Sequence, residues 1–195
     1  MKRLFVAADL DEATREAVAD ISSRLQQALN DAAPSPGRPT RITWVRPDRF
    51  HLTLEFLGEV SSSIEQQAVD ALARPFPLPA FDLSFRGIGF FPERGSPRVL
   101  WLGIAEGLHE LRQLHRLLLS RLTLPSPPSN TEYTPHLTLA RFRDRTRSTE
   151  LKGLHRIEAS AGPARIDRVT LFESRLSSKG PTHVALAEAS LSPCS

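Results

Sequence analysis

The sequence predicts a fold that mixes helices and strands in two similar lobes with a cleft between them. Short apolar segments typical of strands alternate with amphipathic helical segments along the 195 residues. A strand–helix–strand unit occurs twice, and the last strand of each copy carries the same tetrapeptide, His-Leu-Thr-Leu, at residues 51–54 and 136–139. A duplicated unit of this kind favours two lobes that face each other.

The first unit begins with an apolar strand from Leu4 to Leu10. Asp11 is placed to cap a helix from about Glu12 to Leu29, because a short polar side chain there can accept a backbone N–H of the first turn. Apolar residues recur every four positions along this helix and form a helical stripe. They are Ala17, Ile21, Leu25 and Leu29.

A proline-containing loop over Asn30 to Thr40 separates this helix from the strand that completes the unit. Strand material follows over Ile42 to Val45 and Phe50 to Leu57, and Gly58 is predicted to end it. A second helix, capped within Ser61 to Ser63, is predicted to continue to about Ala73.

The second unit follows a strand over Phe81 to Ile88. Its first strand covers Arg98 to Ile104, and its helix has leucines at helical spacing up to Pro125 to Pro128. Its last strand covers Pro135 to Phe142. The two final strands are predicted over residues 165–172 and 183–187, joined by a turn at 177–181.

The bulk composition excludes several classes of protein. A formal net charge of +3 is compatible with a phosphate-bearing ligand and equally with a solvated basic surface. The single cysteine, Cys194, excludes an intrachain disulfide and a thiolate metal cluster. No run reaches the roughly 18 apolar residues that span a bilayer, and the N-terminal apolar stretch is too short for a signal peptide. We therefore expect a cytoplasmic protein with no membrane partner, and a cleft formed within one chain makes a monomer the default.

The repeated tetrapeptide is the strongest candidate for a functional site. Side chains two positions apart on a strand share a face, so each histidine lies beside the threonine that follows it, while the leucines face the core. Facing lobes would present His51 with Thr53, and His136 with Thr138, into one cleft.

This set suits cleavage of a phosphodiester. One imidazole can accept a proton from the nucleophile while the other donates one to the leaving oxygen, because a pKa of about 6.5 permits both roles near neutrality. The threonine hydroxyls can donate to the non-bridging phosphate oxygens, where charge builds up in the transition state. Nothing in this chemistry requires a metal or another cofactor.

Two other interpretations of the tetrapeptides stay open. A His-x-Thr pair on a strand can be an ordinary surface pair, although two matched copies disfavour this. A zinc site is the second alternative, but two histidines without cysteines or several carboxylates make a poor ligand set. Glu55, on the His51 face by strand alternation, is the one candidate third ligand.

The two tetrapeptides resemble the motif pair that defines the two-histidine (2H) phosphoesterase superfamily. Further segments resemble one branch of it, the bacterial and archaeal RNA 2′,3′-cyclic phosphodiesterases, also called 2′-5′ RNA ligases. The resemblance extends from residue 4 to about residue 187. The matching segments are Phe5–Ala8, Trp44–Pro47, His51–Gly58, Pro97–Gly103, Pro135–Arg141 and Leu171–Ser174.

The resemblance implies a bilobal α+β fold in which two antiparallel-rich sheets face a central cleft, and we expect residues 1–195 to form this single domain. It implies hydrolysis of a 2′,3′-cyclic phosphate, on an RNA end or a small nucleotide, to a 2′-phosphate, with 2′-5′ ligation as a minor reverse reaction. His51 would donate a proton to the departing 3′ oxygen, and His136 would activate water. Thr53, Thr138 and Arg141 would hold the phosphate.

Three positions depart from simple expectation. Arg141 is five residues after His136 and should face the other side of the strand, unless a bulge or the strand's end near Ala140 intervenes. Glu55 stands where a small apolar residue is common in the family. If it points into the cleft, it should raise the pKa of His51. His183 lies where the family often has an aromatic residue, which leaves its role open.

Other candidates have weaker support. His109 and His115 lie on the leucine-rich helix and are expected at its surface. Three arginines in one loop are candidate contacts to an RNA backbone, with a solvated loop as the alternative. Three aromatic residues are candidates for stacking on a base, with core packing as the alternative for at least two. These six residues are Arg143, Arg145, Arg147, Trp44, Phe56 and Trp101.

Two other functions stay open from the sequence. A non-catalytic binder of RNA or nucleotides on the same fold would not need a titrating pair, and a His51→Ala variant that loses activity but keeps affinity would argue against it. A phosphodiesterase for another cyclic phosphate, such as ADP-ribose 1″,2″-cyclic phosphate, would use identical chemistry.

Overall fold

The computed structural model describes residues 1–31, 41–122, 133–146, 148–177 and 180–192. Over these ranges the chain forms three α-helices and ten strands, with short 3₁₀ helices at Pro47–Arg49 and Ser148–Arg156. The elements are β1 (Lys2–Asp9), α1 (Glu12–Asp31), β2 (Ile42–Trp44), β3 (His51–Val60), α2 (Ser62–Ala71), β4 (Phe76–Pro77), β5 (Phe81–Phe91), β6 (Val99–Glu106), α3 (Leu108–Arg121), β7 (Leu137–Phe142), β8 (Ser160–Ile166), β9 (Arg168–Ser177) and β10 (Gly180–Ser192).

The strands form two five-stranded sheets, in the orders β3-β1-β9-β10-β4 and β2-β7-β6-β5-β8. All neighbouring strands are antiparallel except β10 and β4. The strand pairs of the duplicated unit occupy matching places, since β1 pairs with β3 in the first sheet and β6 with β7 in the second. The predicted α+β fold with two antiparallel-rich sheets is confirmed.

Each lobe takes strands from distant parts of the chain. β2 precedes β3 in sequence, yet it pairs with β7 in the second sheet. β9 follows the whole second unit, yet it pairs with β1 in the first sheet. α1 lies against β8 of the second sheet. The duplicated units therefore form the centres of the lobes, and other segments complete each sheet.

Helix α1 begins where the sequence predicts. The Oδ1 atom of Asp11 accepts a hydrogen bond from the backbone N–H of Thr14 at 2.8 Å, which satisfies a donor of the first turn. The buried face differs from the predicted stripe and follows Val18, Ile21 and Leu25, because a strict four-residue spacing drifts around a helix of 3.6 residues per turn. Ala17 and Leu29, at the drifting positions, pack only at the edge of the core.

One hydrophobic core includes side chains from both sheets and all three helices. The leucines of both tetrapeptides lie in it, as strand alternation predicts. On α3, the leucine stripe is buried at Leu111, Leu114 and Leu118. In the described ranges no helix combines the length and the apolar character needed to cross a membrane.

Several sequence expectations about elements were wrong. Gly58 does not end its strand; it sits at φ +72° beyond an irregularity in the pairing with β1, and β3 continues to Val60. Strand β8 was missed because its Gly162-Pro163 sequence has the composition of a turn. Residues 30 and 31 continue α1 rather than starting a loop. The remainder of that predicted loop lies outside the described residues, as do Pro125 to Pro128, Arg147 and Cys194.

Gly107, which precedes α3, gives a test of how closely the start of this helix packs against β5. It has φ +79°, and a Cβ there would lie 2.5 Å from the carbonyl oxygen of Asp82. We expect Gly107→Ala to lower the free energy of unfolding by about 2–3 kcal/mol, measured by urea denaturation. Gly153→Ala is the matched control, because a Cβ at Gly153 meets nothing within 4 Å. Equal stability of the two variants would contradict the prediction.

Candidate active site

Each tetrapeptide histidine is oriented by the backbone carbonyl two residues before it. Nδ1 of His51 lies 2.8 Å from the carbonyl oxygen of Arg49, and Nδ1 of His136 lies 2.8 Å from that of Thr134. Because a carbonyl oxygen can only accept, Nδ1 is the donor in both rings. In the neutral form Nε2 is therefore the basic nitrogen of each histidine.

The residues just before each histidine explain why these carbonyls are directed to the imidazoles. Before His51, Pro47 opens a 3₁₀ turn in which the N–H groups of Arg49 and Phe50 donate to the carbonyls of Arg46 and Pro47. The turn leaves the Arg49 carbonyl directed back to the imidazole. Before His136, Pro135 restricts the backbone of Thr134 to extended conformations. Strand β7 begins at Leu137, so His136 stands just ahead of it rather than inside it.

A cleft of about 580 Å³ lies between the two sheets. His51 and Thr53 of β3 line it from the first sheet, and Thr138 and Arg141 of β7 line it from the second. His136 lies close enough to Arg141 for its charge to affect the imidazole, and the same arginine also acts on His51. The structure thus brings together the five residues singled out in the sequence.

A β-bulge follows the threonine in each tetrapeptide. Thr53 pairs with Ala7 and Glu55 with Val6, so Leu54 is the extra residue of β3. In β7, Thr138 pairs with Trp101 and Ala140 with Leu100, so the extra residue is Leu139. A bulge reverses strand alternation beyond it. The residue five positions after each histidine, Phe56 or Arg141, therefore lines the cleft.

The bulge in β7 explains why Arg141 lines the cleft although it is five residues after His136. The bulge in β3 explains why Glu55 does not share the face of His51, although alternation predicts that it does. Glu55 faces away from the cleft, and its Oε2 atom lies 3.0 Å from Nε2 of His115. It makes no contribution to the lowered pKa of His51. The condition for its suggested effect on His51 is therefore not met, and its expected place on the His51 face, as a candidate third metal ligand, is wrong.

The pKa of His51 is lowered to about 4, first by burial and also by the nearby His183, Arg141 and Arg15, while the Arg49 carbonyl raises it. The pKa of His136 is also lowered, first by burial and then by Arg141, while the Thr134 carbonyl raises it. Both imidazoles are consequently neutral at pH 7. A bound anion would oppose these shifts, because negative charge stabilises an imidazolium.

Aromatic rings pack around both histidines. Phe5 lies with its ring centroid 5.0 Å from that of His51, and Phe91 lies 4.9 Å from His136. The Trp101 ring packs against Phe91 and directly over Gly89, where any Cβ would collide with it. These contacts limit the rotation of the imidazoles.

A third histidine, His183 of β10, stands in the cleft beside His51. Their ring centroids are 5.2 Å apart with an edge-to-face geometry, and His183 also contacts Phe5. Burial and the charge of Arg49 lower its pKa. The sequence left its role open, since only the pairing of β10 with β9 brings it next to the first tetrapeptide.

The cleft is strongly basic. Five arginines line it, compared with a single carboxylate, Glu59. Sequence reasoning singled out Arg141 and Arg143 but missed the others, because nothing in their spacing shows that they converge. Arg143 donates from Nε to the Thr43 hydroxyl at 3.0 Å. The five are Arg3, Arg46, Arg49, Arg141 and Arg143.

The remaining candidates have mixed outcomes. Trp44 and Phe56 line the cleft; Trp44 also packs against the core, as the core-packing alternative has it, whereas Phe56 is exposed. His109 is exposed as expected, but His115 is wrong as a surface residue, because its side chain is only 11% exposed against Glu55. Arg145 is exposed. Among the described residues, no group of three or more His, Cys, Asp or Glu side chains is arranged to hold a metal ion.

The structure has two facing antiparallel-rich sheets, a basic cleft lined by His51, Thr53 and Thr138, and His136 beside the cleft residue Arg141, which are the features of the class of two-histidine phosphoesterases. The family model described as the 2′-5′ RNA ligase superfamily matches residues 43–178. The chain belongs to that superfamily.

Relatives named RNA 2′,3′-cyclic phosphodiesterase match nearly the whole chain. The Methanothermobacter thermautotrophicus protein is 34% identical over 93% of this chain and 94% of its own length. The Archaeoglobus fulgidus protein is 32% identical over 93% and 96%. The structure of E. coli LigT complexed with 3′-AMP is similar with a TM-score of 0.69, at 28% identity over 97% of both chains.

The lowered pKa of His51 predicts a pH dependence of stability. An unfolded chain takes up a proton on this residue near pH 6.5, whereas the folded protein does so only near pH 4. The free energy of unfolding should therefore fall by about 2.5 kcal/mol between pH 6.5 and pH 4 through His51 alone. Denaturation of His51→Gln across this range should show a fall smaller by that amount.

The exposed His109 on α3 provides the control for this measurement. We expect His109→Gln to retain the pH dependence of the wild type. A His51→Gln variant whose stability falls as steeply as that of the wild type would contradict the assignment.

Proposed function

We propose that this protein hydrolyses the 2′,3′-cyclic phosphate at an RNA end to a 2′-phosphomonoester, by metal-independent acid–base catalysis with its two His-x-Thr motifs. The observation that carries the proposal is the repeated geometry at one basic cleft: two histidines, each with Nδ1 bonded to a carbonyl and Nε2 as the basic nitrogen. The names of the relatives support the same activity.

The two histidines have complementary tasks in this proposal. His136, neutral because its pKa is lowered, accepts a proton at Nε2 from the attacking water. The water oxygen forms a bond to phosphorus, the bond from phosphorus to the 3′ oxygen breaks, and His51 donates its Nε2 proton to that oxygen. The product keeps the phosphate on the 2′ oxygen.

The donor role of His51 requires the substrate. In the folded protein its pKa is about 4, and a neutral ring has no Nε2 proton to give. A cyclic phosphate anion in the cleft stabilises the imidazolium and so raises this pKa. We therefore infer that substrate binding and protonation of His51 are linked.

The other lining residues suit a phosphate attached to a nucleoside. Thr53, Thr138 and Arg141 line the cleft and would donate hydrogen bonds to non-bridging oxygens, where negative charge grows during the reaction. Phe56, with 56% of its surface exposed, offers an aromatic face on which a base can stack. The remaining arginines add attraction for a phosphate backbone that does not depend on sequence.

The same site would run the reverse reaction, 2′-5′ ligation, as a minor activity. Both lobes contribute to the site, so we propose that residues 1–195 act as one catalytic unit. A monomeric state and a cytoplasmic location stay predictions from the sequence.

The test is hydrolysis of adenosine 2′,3′-cyclic phosphate, and of a short oligonucleotide ending in a cyclic phosphate, in EDTA. We expect turnover to the 2′-phosphate without added metal. In His51→Ala and His136→Ala, kcat should fall by about 10²–10⁴-fold, because each variant lacks one partner of proton transfer.

His109→Ala, at an exposed position on α3, should keep the wild-type kcat. Tight binding of 2′-AMP by a wild type that turns over neither substrate would favour a non-catalytic binder. Turnover that EDTA abolishes, or that yields the 3′-phosphate, would contradict the proposed mechanism.

A further inference from the structure

Behind the cleft, four residues form a continuous set of contacts, in which Tyr133 joins β3 of the first sheet to the segment that leads into β7 of the second. Glu55 and Thr53 belong to β3, His115 belongs to α3, and Tyr133 lies just before β7. Glu55 Oε2 lies 3.0 Å from His115 Nε2, and the His115 and Tyr133 rings stack with centroids 4.0 Å apart. The Tyr133 hydroxyl donates to the Thr53 carbonyl at 3.1 Å.

Tyr133 is connected to both His-x-Thr motifs. Its hydroxyl holds the backbone of Thr53, whose side chain lines the cleft from the first sheet. Its own backbone continues into Thr134, whose carbonyl accepts from Nδ1 of His136. Tyr133 thus links the two motifs: its side chain bonds to the backbone of the first, and its backbone precedes the carbonyl that orients the histidine of the second.

The surroundings keep Tyr133 in this position. Burial, together with the nearby Glu55 carboxylate, raises the pKa of its phenol, so the hydroxyl remains a hydrogen-bond donor at all working pH values. The stacked His115 ring limits rotation of the phenol ring. Glu55 in turn fixes His115, and both side chains are largely buried, at 14% and 11% exposed.

We propose that Tyr133 is a positioning residue that sets the separation of His51–Thr53 from His136–Thr138, and that Glu55 and His115 support it. The proposal rests on the function proposed above, because it matters only where both motifs act on one phosphate. Proton transfer on opposite sides of a phosphorus atom tolerates little displacement, and misplacement by about 1 Å can cost 10²-fold in rate. Loss of the Tyr133 contact between the two His-x-Thr motifs should therefore lower mainly kcat.

Tyr133→Phe tests the hydroxyl, because the phenyl ring can still stack on His115. We expect kcat for adenosine 2′,3′-cyclic phosphate to fall about tenfold, with KM changed by less than about twofold and Tm lowered by only about 3 °C. Ser120→Ala is the matched control, since it also deletes a hydroxyl-to-carbonyl bond, to Leu117 at 2.8 Å, but on the exposed surface of α3. It should leave kcat unchanged.

Variants of Glu55 test the support for Tyr133. Glu55→Gln keeps an oxygen that can accept from His115 and should retain kcat, whereas Glu55→Ala should lower it severalfold. In Tyr133→Phe combined with Glu55→Ala, the loss should equal that of Tyr133→Phe alone. A double variant whose loss is the product of the two single losses would overturn the role given to Glu55 and His115.

NMR separates this proposal from the proposed function, because it needs no turnover. In Tyr133→Phe, the ring Cε1–H signal of His136 should shift, while that of the exposed His109 stays in place. A wild type inactive on both cyclic phosphates would overturn the proposed function alone. An unmoved His136 signal, or an active Tyr133→Phe with wild-type kcat, would overturn the positioning role.

Discussion

The site depends on the hydrogen bond from Nδ1 of each tetrapeptide histidine to the carbonyl two residues earlier. This bond selects the tautomer and holds the ring against rotation, so Nε2 becomes the one nitrogen that can exchange a proton with a ligand. It also imposes a requirement on the fold. The chain must arrive at each histidine through a restricted backbone, which the 3₁₀ turn at Pro47–Arg49 and the Thr134–Pro135 step supply.

The two bulges are the second feature that repeats. The same bulge at the same place in each motif turns a different kind of residue to the cleft. Leu54 and Leu139 are the extra residues at equivalent places, so position five after each histidine turns to the cleft. In the first sheet that residue is Phe56, and in the second it is Arg141. One sheet thus gains an apolar ring and the other a guanidinium, which suits the base and the phosphate of the substrate proposed above.

Patterns among residues that are close in sequence were enough to predict much of the structure. The α+β fold, the duplicated unit and the strand placement of both motifs follow from periodicity and from the repeated tetrapeptide. Glu55 and His115 were misplaced, because alternation cannot show a bulge and a helix pattern cannot show which side chain packs against a distant strand. The convergence of Arg3, Arg49 and His183 on the cleft depends on pairing between distant strands, which leaves no local pattern.

The exchange of strands between the lobes has a consequence for how such chains can be recombined. β2 is separated from its partner β7 by more of the chain than either unit contains, and β1 is separated from β9 by almost the whole chain. A crossover between two relatives anywhere from residue 45 to residue 136 would divide both pairs. A chimera would form both sheets only if the partner strands also matched, so the duplicated units cannot be shuffled as modules.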